Sequence, residues 1–286
     1  MQWHGCRMRV YKFICDLTQR VTDHDDYALA SHMALSLLTA MFPFLIFVAS
    51  LAGVLGTADL QAEIVRLLFE TWPHEVSEPI AREVNRVLGT ARPGLLTVSA
   101  IVAVVLASNG VEAIRVGINR AYGLVEMRSF WWCRLQSLFF VLVASLALVT
   151  LALLVVLWPV IWEATISFVP VLAPLLPLIE VARYGVTMLV LGGAIILVHL
   201  FLVASRPSFG VIWPGVLITL GLWLAGGYAF SIYISDFAAY SKLYAGLGSV
   251  FAALFFLWLV ALAFLLGAEI NAILAERRHK RIQAAS

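Results

Sequence analysis

Apolar residues gather into six long runs along this chain, near 33–55, 95–114, 135–158, 182–204, 211–235 and 245–270. A helix needs roughly 20 apolar residues to cross a hydrocarbon core about 30 Å thick, and each run has about that length. The pattern therefore predicts an all-α, polytopic membrane protein with six transmembrane helices. Between the first two runs, polar and apolar positions alternate at helical spacing instead. Leu60, Ile64, Leu67 and Leu68 make one stripe, and Val76, Ile80, Val84 and Val87 make a second. Trp72 and Pro73 separate them, which predicts two amphipathic helices in the first external loop. A third amphipathic pattern covers residues 3–22, where Val10, Ile14, Leu17 and Val21 recur while Arg9, Lys12 and Arg20 can meet anionic headgroups. A solvated linker fits that pattern as well.

Three parts follow: a cytoplasmic amphipathic segment at 1–32, a six-helix membrane domain at 33–275, and a basic cytoplasmic tail at 276–286. Composition agrees, with 62% hydrophobic and only 13% charged residues against about a quarter charged in ordinary soluble domains. The basic residues set the orientation. Thirteen of the 19 Lys and Arg fall before the first run, between runs two and three, between runs four and five, or in the tail. Both termini are expected in the cytoplasm of a bacterial cell with the protein in its inner membrane. Cys6, Cys15 and Cys133 fall on that side too, where thiols stay reduced. No cleavable signal peptide is expected, so the first run would serve as an uncleaved signal. Trp131, Trp132, Trp158, Trp162 and Trp213 stand at run ends, as interfacial aromatics do. Pro170, Pro174 and Pro177 argue against a spanning helix between Glu163 and Glu180.

Candidate chemistry is sparse. Asn109, Glu112, Arg115 and Asn119 fall within about 120° of one another on a helix, and Arg120 follows them at the end of run two. One reading is a polar lining at the cytoplasmic mouth of a pathway, with Arg115 and Arg120 holding an anionic group. The other is a helix leaving the membrane with its charges solvated. Glu269 and Asn271 end run six, and Glu269 is expected to pair with an arginine of run two, either as a latch or in a transport site. Pro43 is expected to kink the first helix, with Thr39 as the group that satisfies the freed carbonyl. His199 lies well inside run four and reads as a packing residue or as a proton-coupling group. Thr22, Asp23, Asp25 and Asp26 read as caps of the next helix. Gly246, Gly248, Ala252 and Ala253 would permit close helix packing. His24 among the aspartates lacks a second cluster to complete a metal shell, so no metal is expected. The chain carries no phosphate-binding glycine loop, HExxH, GxSxG or CxxC, so neither an enzyme nor a cofactor is expected.

Several stretches resemble the YihY/BrkB family of bacterial inner-membrane proteins. They are ALASHMALSLLTAMFPFLIFVASLAG around Pro43, GINRAYG at 117–123, FWWCRLQSLFFVL at 130–142, PGVLITLGLWLAGGYAFSIYI from Pro214, and YAGLGSVFAALFFLWLVALAFLLGAEINAIL from Tyr244. Order and spacing hold over roughly residues 25–275. The chain departs at Leu35, where many relatives have a tyrosine, so no role of that hydroxyl carries over. The resemblance implies a six-helix inner-membrane bundle with both ends inside. It also brings a family in which some members bear a ribonuclease BN label and others are connected with serum resistance or envelope lipid export. The expected function is a transporter or a lipid or solute translocator of the bacterial envelope. The alternative is a non-transporting scaffold for envelope assembly, and ribonuclease activity is not supported by these residues. Membrane lipids and a small anionic or amphiphilic solute are the expected partners. Nucleic acid is not expected, and a homo-oligomer stays open.

Overall fold

A computed structural model describes residues 2–55, 93–151, 176–205, 207–241 and 247–283, with scattered residues between 154 and 174. Those residues form seven long helices and no strand. They are α1 (Gln2–Asp23), α2 (Asp26–Leu55), α3 (Pro93–Ala121), α4 (Phe130–Leu151), α5 (Leu176–Leu202), α6 (Phe209–Ser241) and α7 (Leu247–Gln283). Five of them, α3 to α7, contain stretches long and apolar enough to cross a membrane. The fold class is thus all-helical and membrane-spanning. The two amphipathic helices of the first loop lie outside the described residues, as does Gly246.

The helix ends follow from local chemistry. Gly123 adopts φ 64° after α3, a left-handed conformation that costs glycine little. Its amide donates to Arg120 O at 2.8 Å while Leu124 N donates to Asn119 O at 2.8 Å, the paired bonds of a Schellman ending. Asp25 takes φ 56° and separates α1 from α2. Pro177 sits in the first turn of α5, where its missing N–H breaks no helical bond. At 1.5 Å per residue, the 37 residues of α7 span roughly 55 Å, well beyond the hydrocarbon core. The helix is therefore longer than the core is thick, and α1 packs against its C-terminal turns.

α2 packs along α3 and α7, and α6 packs along α7. The buried apolar core includes Met33, Ile118, Leu202, Ile212, Phe264 and Leu265. Opposite it, α4 presents Leu135, Phe139, Leu142 and Leu146, all exposed, in one stripe at helical spacing. Such a stripe is unfavourable in water and suits lipid tails. Trp131 and Trp213 are likewise exposed at helix starts, whereas Trp162 is buried.

Among the described glycines, the tightest surroundings are where α6 meets α7. A Cβ on Gly215 would collide with the carbonyl oxygen of Gly267 and lie 2.5 Å from Asn271 Cγ. One on Gly267 would collide with Thr219 Oγ1 and lie 2.7 Å from Gly215 O. Pro214 precedes this point inside α6, and the Gly215 amide donates to Asn271 Oδ1 at 2.7 Å. This close crossing is centred on Gly215 and Gly267. The signal was present as small residues four apart from polar ones, Gly215 with Thr219 and Gly267 with Asn271.

Residue 43 lies inside the unbroken helix α2. Thr39 Oγ1 donates to Leu35 O, one turn back along the helix. It therefore does not hold the carbonyl that a proline at 43 frees, which is its own.

Candidate functional site

The polar residues in the last turns of α3 serve three different neighbours: α4, the end of α5 and the α1–α2 turn. Arg115 is 1% exposed. Its guanidinium donates to Cys133 O at 2.7 Å and Ser137 Oγ at 2.8 Å on α4, and pairs with Glu112. Asn119 turns to the end of α5: its Nδ2 donates to Leu202 O at 3.1 Å and its Oδ1 accepts from Ala204 N at 2.8 Å. Asn109 is exposed and accepts from Arg134 at 2.8 Å. Arg120 donates to Asp25 Oδ2 at 2.7 Å, with both side chains well exposed. These groups are mutual ties between helices more than a shared lining. Arg128 completes the α5 ending, donating to Phe201 O at 3.0 Å and Leu202 O at 2.6 Å while held by Glu126. That pairing holds the Glu126 carboxyl below its ordinary range and the Arg128 guanidinium above its own.

The orphan carbonyls of a buried helix end need such donors. Asn119→Ala should therefore cost about 1–3 kcal/mol, since it removes the acceptor of the Ala204 amide and one of the two donors to the Leu202 carbonyl, which Arg128 still serves. Thermal unfolding of the purified variant checks this, and an unchanged melting temperature would show that the α5 ending does not depend on Asn119.

A different set of groups gathers where α1, α2 and α7 meet. Glu269 has no exposed surface. It pairs with His24 Nδ1, and Arg20 Nη1 stands 3.9 Å from its Oε2. The expected partner was an arginine of α3; the partners come from α1 and the turn after it. The reason is depth, because α1 folds back against the protruding end of α7. Two further pairs fasten that contact, Arg20 with Glu276 at 2.6 Å and Arg277 with Asp16 at 3.0 Å. Along α1, Val21 is buried but Ile14 is exposed, so the apolar stripe read from the sequence does not all face one surface.

Asp26 completes the cluster. Its side chain is fully buried, and neither carboxylate oxygen has a hydrogen-bond partner. It lies ahead of the apolar stretch of α2. Burial, and then the neighbouring Glu269, push its carboxyl up to about 7, against the pull of His24 and Arg120. The capping role read from the sequence is not what this side chain does. Nearby, burial raises the Tyr122 phenol, which lies beside Asn271 and within reach of Glu269. The Tyr122 ring meets the His199 ring edge-on at 6.2 Å between centroids. His199 Nδ1 lies 2.9 Å from Ile195 O. A carbonyl only accepts, so that nitrogen carries the hydrogen, leaving Nε2 as a buried acceptor without a donor. Asn271 Nδ2 is also unpartnered and buried. Asp26, His24 and Tyr122 were missed as site residues because Asp26 and His24 sit in a short acidic run that reads as capping, and Tyr122 in a helix ending.

Beside this cluster a cavity of about 460 Å³ opens between α1 and α7, with Arg20, His24, Gly123, Glu276, Arg277 and Lys280 among its walls. Among the described residues, no group of three or more His, Cys, Asp or Glu is arranged to hold a metal ion.

The family model described as Virulence factor BrkB matches residues 17–286. The chain is 30% identical over 269 residues to the ribonuclease-like protein YfkH of Bacillus subtilis (strain 168), an alignment covering 93% of this chain and 96% of that relative. No solved structure matches.

Proposed function

We propose, for a chain that belongs to the Virulence factor BrkB family, that it is a translocator of a solute or lipid in the bacterial envelope. The multi-pass helical bundle places it in a membrane. On this reading the membrane is the inner one, and the end carrying α1, the α3–α4 link and the last turns of α7 faces the cytoplasm. The basic residues at that end support the orientation. The observation that carries the reading is Asp26, a buried carboxyl without a partner, packed near a second buried carboxyl, Glu269. Ionisable groups buried in such surroundings are costly, and Glu269, which lies inside the apolar stretch of α7, is of the kind that marks substrate and ion pathways in membrane proteins. The cavity at His24 gives that cluster a route to water. Its mixed basic and acidic walls suit a small anionic or amphiphilic solute or a lipid headgroup.

A second reading, a non-transporting scaffold, is favoured by a specific observation. Arg115 and Asn119, the strongest pathway candidates on α3, are used up in ties to α4 and α5. A binding measurement separates the two. Purified protein in detergent is melted with phospholipids, lipid A precursors, compatible solutes, inorganic anions and short RNA, and Asp26→Asn serves as the control. A ligand at a hundred times its dissociation constant adds about 2.7 kcal/mol to the native state. The expected result is a stabilising lipid or anion whose effect is lost in the variant. Silence across the panel with well-folded protein supports the scaffold, and cleavage of the RNA would transfer to this chain the activity its relative's name suggests.

A further inference from the structure

We infer that Asp26 and Glu269 form a binding site for one exchangeable proton, reached from the cavity through His24. The inference rests on the translocator reading, in which that proton is the coupling ion. Two carboxylates buried together, one of them without a single donor, cannot both stay charged without a large desolvation and repulsion cost. One proton relieves both. The titratable and charged groups facing Asp26 come from every neighbouring element: Asp25 and His24 in the α1–α2 turn, Arg120 from α3 and Glu269 from α7. Glu269 in turn faces His24, Arg20 and Glu276. Further inward, the unpartnered groups of Asn271 and His199 flank Tyr122, continuing a polar line into the bundle.

His24 is placed to pass the proton. It lines the cavity, and its Nδ1 faces Glu269 Oε1. With Nδ1 carrying the hydrogen, Nε2 accepts a proton from cavity water, leaving an imidazolium. The Nδ1 proton then moves to the Glu269 carboxylate, which becomes neutral, and His24 is left neutral with its hydrogen on Nε2. One proton enters, one N–H bond forms, one N–H bond breaks and one O–H bond forms. With Glu269 neutral, the repulsion it exerts on Asp26 is gone, and the pair holds one proton between them.

The site is testable without any transported substrate, by infrared difference spectroscopy of the purified full chain titrated from about pH 5 to 9. The expected result is a protonated-carboxyl band that disappears with a midpoint near neutral pH. Asp26→Asn should abolish or displace it, and Glu269→Gln should lower the midpoint by removing the neighbouring negative charge. Stability gives a second readout. The native state holds a proton that the unfolded chain releases at a much lower pH, so stability should fall as pH rises from about 4 to 7 and level off above it. Asp26→Asn should flatten that fall. Were the Asn variant not to fold, the wild-type titration and Glu269→Gln still decide. Absence of a carboxyl band titrating near neutral pH would overturn the site. So would a midpoint that drops as sodium or potassium is added, since a metal cation would then be the occupant. A missing band leaves any ligand hit in the melting screen standing, and a silent screen leaves the band standing, so the two readings fail separately.

Discussion

Arg115→Ala is expected to lower the stability of the bundle by about 3 kcal/mol or more, close to the cost of breaking a buried ion pair. The side chain is fully enclosed and joins α3 to α4 through the Cys133 carbonyl and the Ser137 hydroxyl. Alanine removes those two donations, leaving the Ser137 hydroxyl and the Cys133 carbonyl with their bond to each other within α4, and opens a cavity the size of an arginine stem. At 2–4 °C per kcal/mol for a chain of this size, the melting temperature should drop by roughly 6–12 °C. Arg115→Lys should recover only part, because an ammonium cannot reach Glu112, Cys133 and Ser137 with one planar fork. Glu112→Gln should cost less than Arg115→Ala, since Glu112 is 42% exposed and the amide oxygen can still accept from Arg115. A melting temperature within about 1 °C of wild type for Arg115→Ala would show that the α3–α4 tie carries no stability. Loss of function on replacing Arg115 would thus report a damaged bundle as readily as a lost pathway, and Asp26→Asn is the better probe of function.

The second large effect is expected at the α6–α7 crossing. Gly215→Ala and Gly267→Ala each place a methyl group against backbone of the opposing helix, and backbone cannot swing aside as a flexible side chain can. The helices must separate, which strains the Gly215–Asn271 hydrogen bond and thins the packing on both sides. Overpacking of a tight core costs about 1–3 kcal/mol and sometimes more; with backbone as the obstacle, the upper end applies. Gly221→Ala is the internal control, because nothing lies within 4 Å of its added Cβ. There alanine should be neutral or stabilising by up to about 1 kcal/mol through helix propensity. Thermal melts of the three variants in one detergent make the comparison, and equal melting temperatures would remove the close crossing from the account.

Much of the helical pattern was legible in the chain, because apolar run length responds to the thickness of the solvent and is a local property. α4 to α7 fall on the runs read at 135–158, 182–204, 211–235 and 245–270, each with shifted ends; most of 152–157 lies outside the described residues. The longest extension, beyond residue 270 in α7, is polar, and hydropathy cannot assign it to a helix. The end of α7 is the clearest case, continuing through Glu276 and Arg277 because α1 packs on it.

The polar residues behaved otherwise. Asn109, Glu112, Arg115 and Asn119 do share a face of α3, as 100° per residue requires. A shared face did not mean a single neighbour: α4 takes Asn109 through Arg134 and also takes Arg115, whereas the end of α5 takes Asn119. Glu269 met His24, 245 positions away. Composition and hydrophobic periodicity by themselves determined that the chain is helical and lives in a bilayer, because each run satisfies its own backbone and faces lipid wherever its neighbours lie. Only the tertiary structure decided which charges are tethered and which, like Asp26, are left buried without a partner. That outcome depends on the relative depth and rotation of helices far apart in the chain, and no local spacing encodes either.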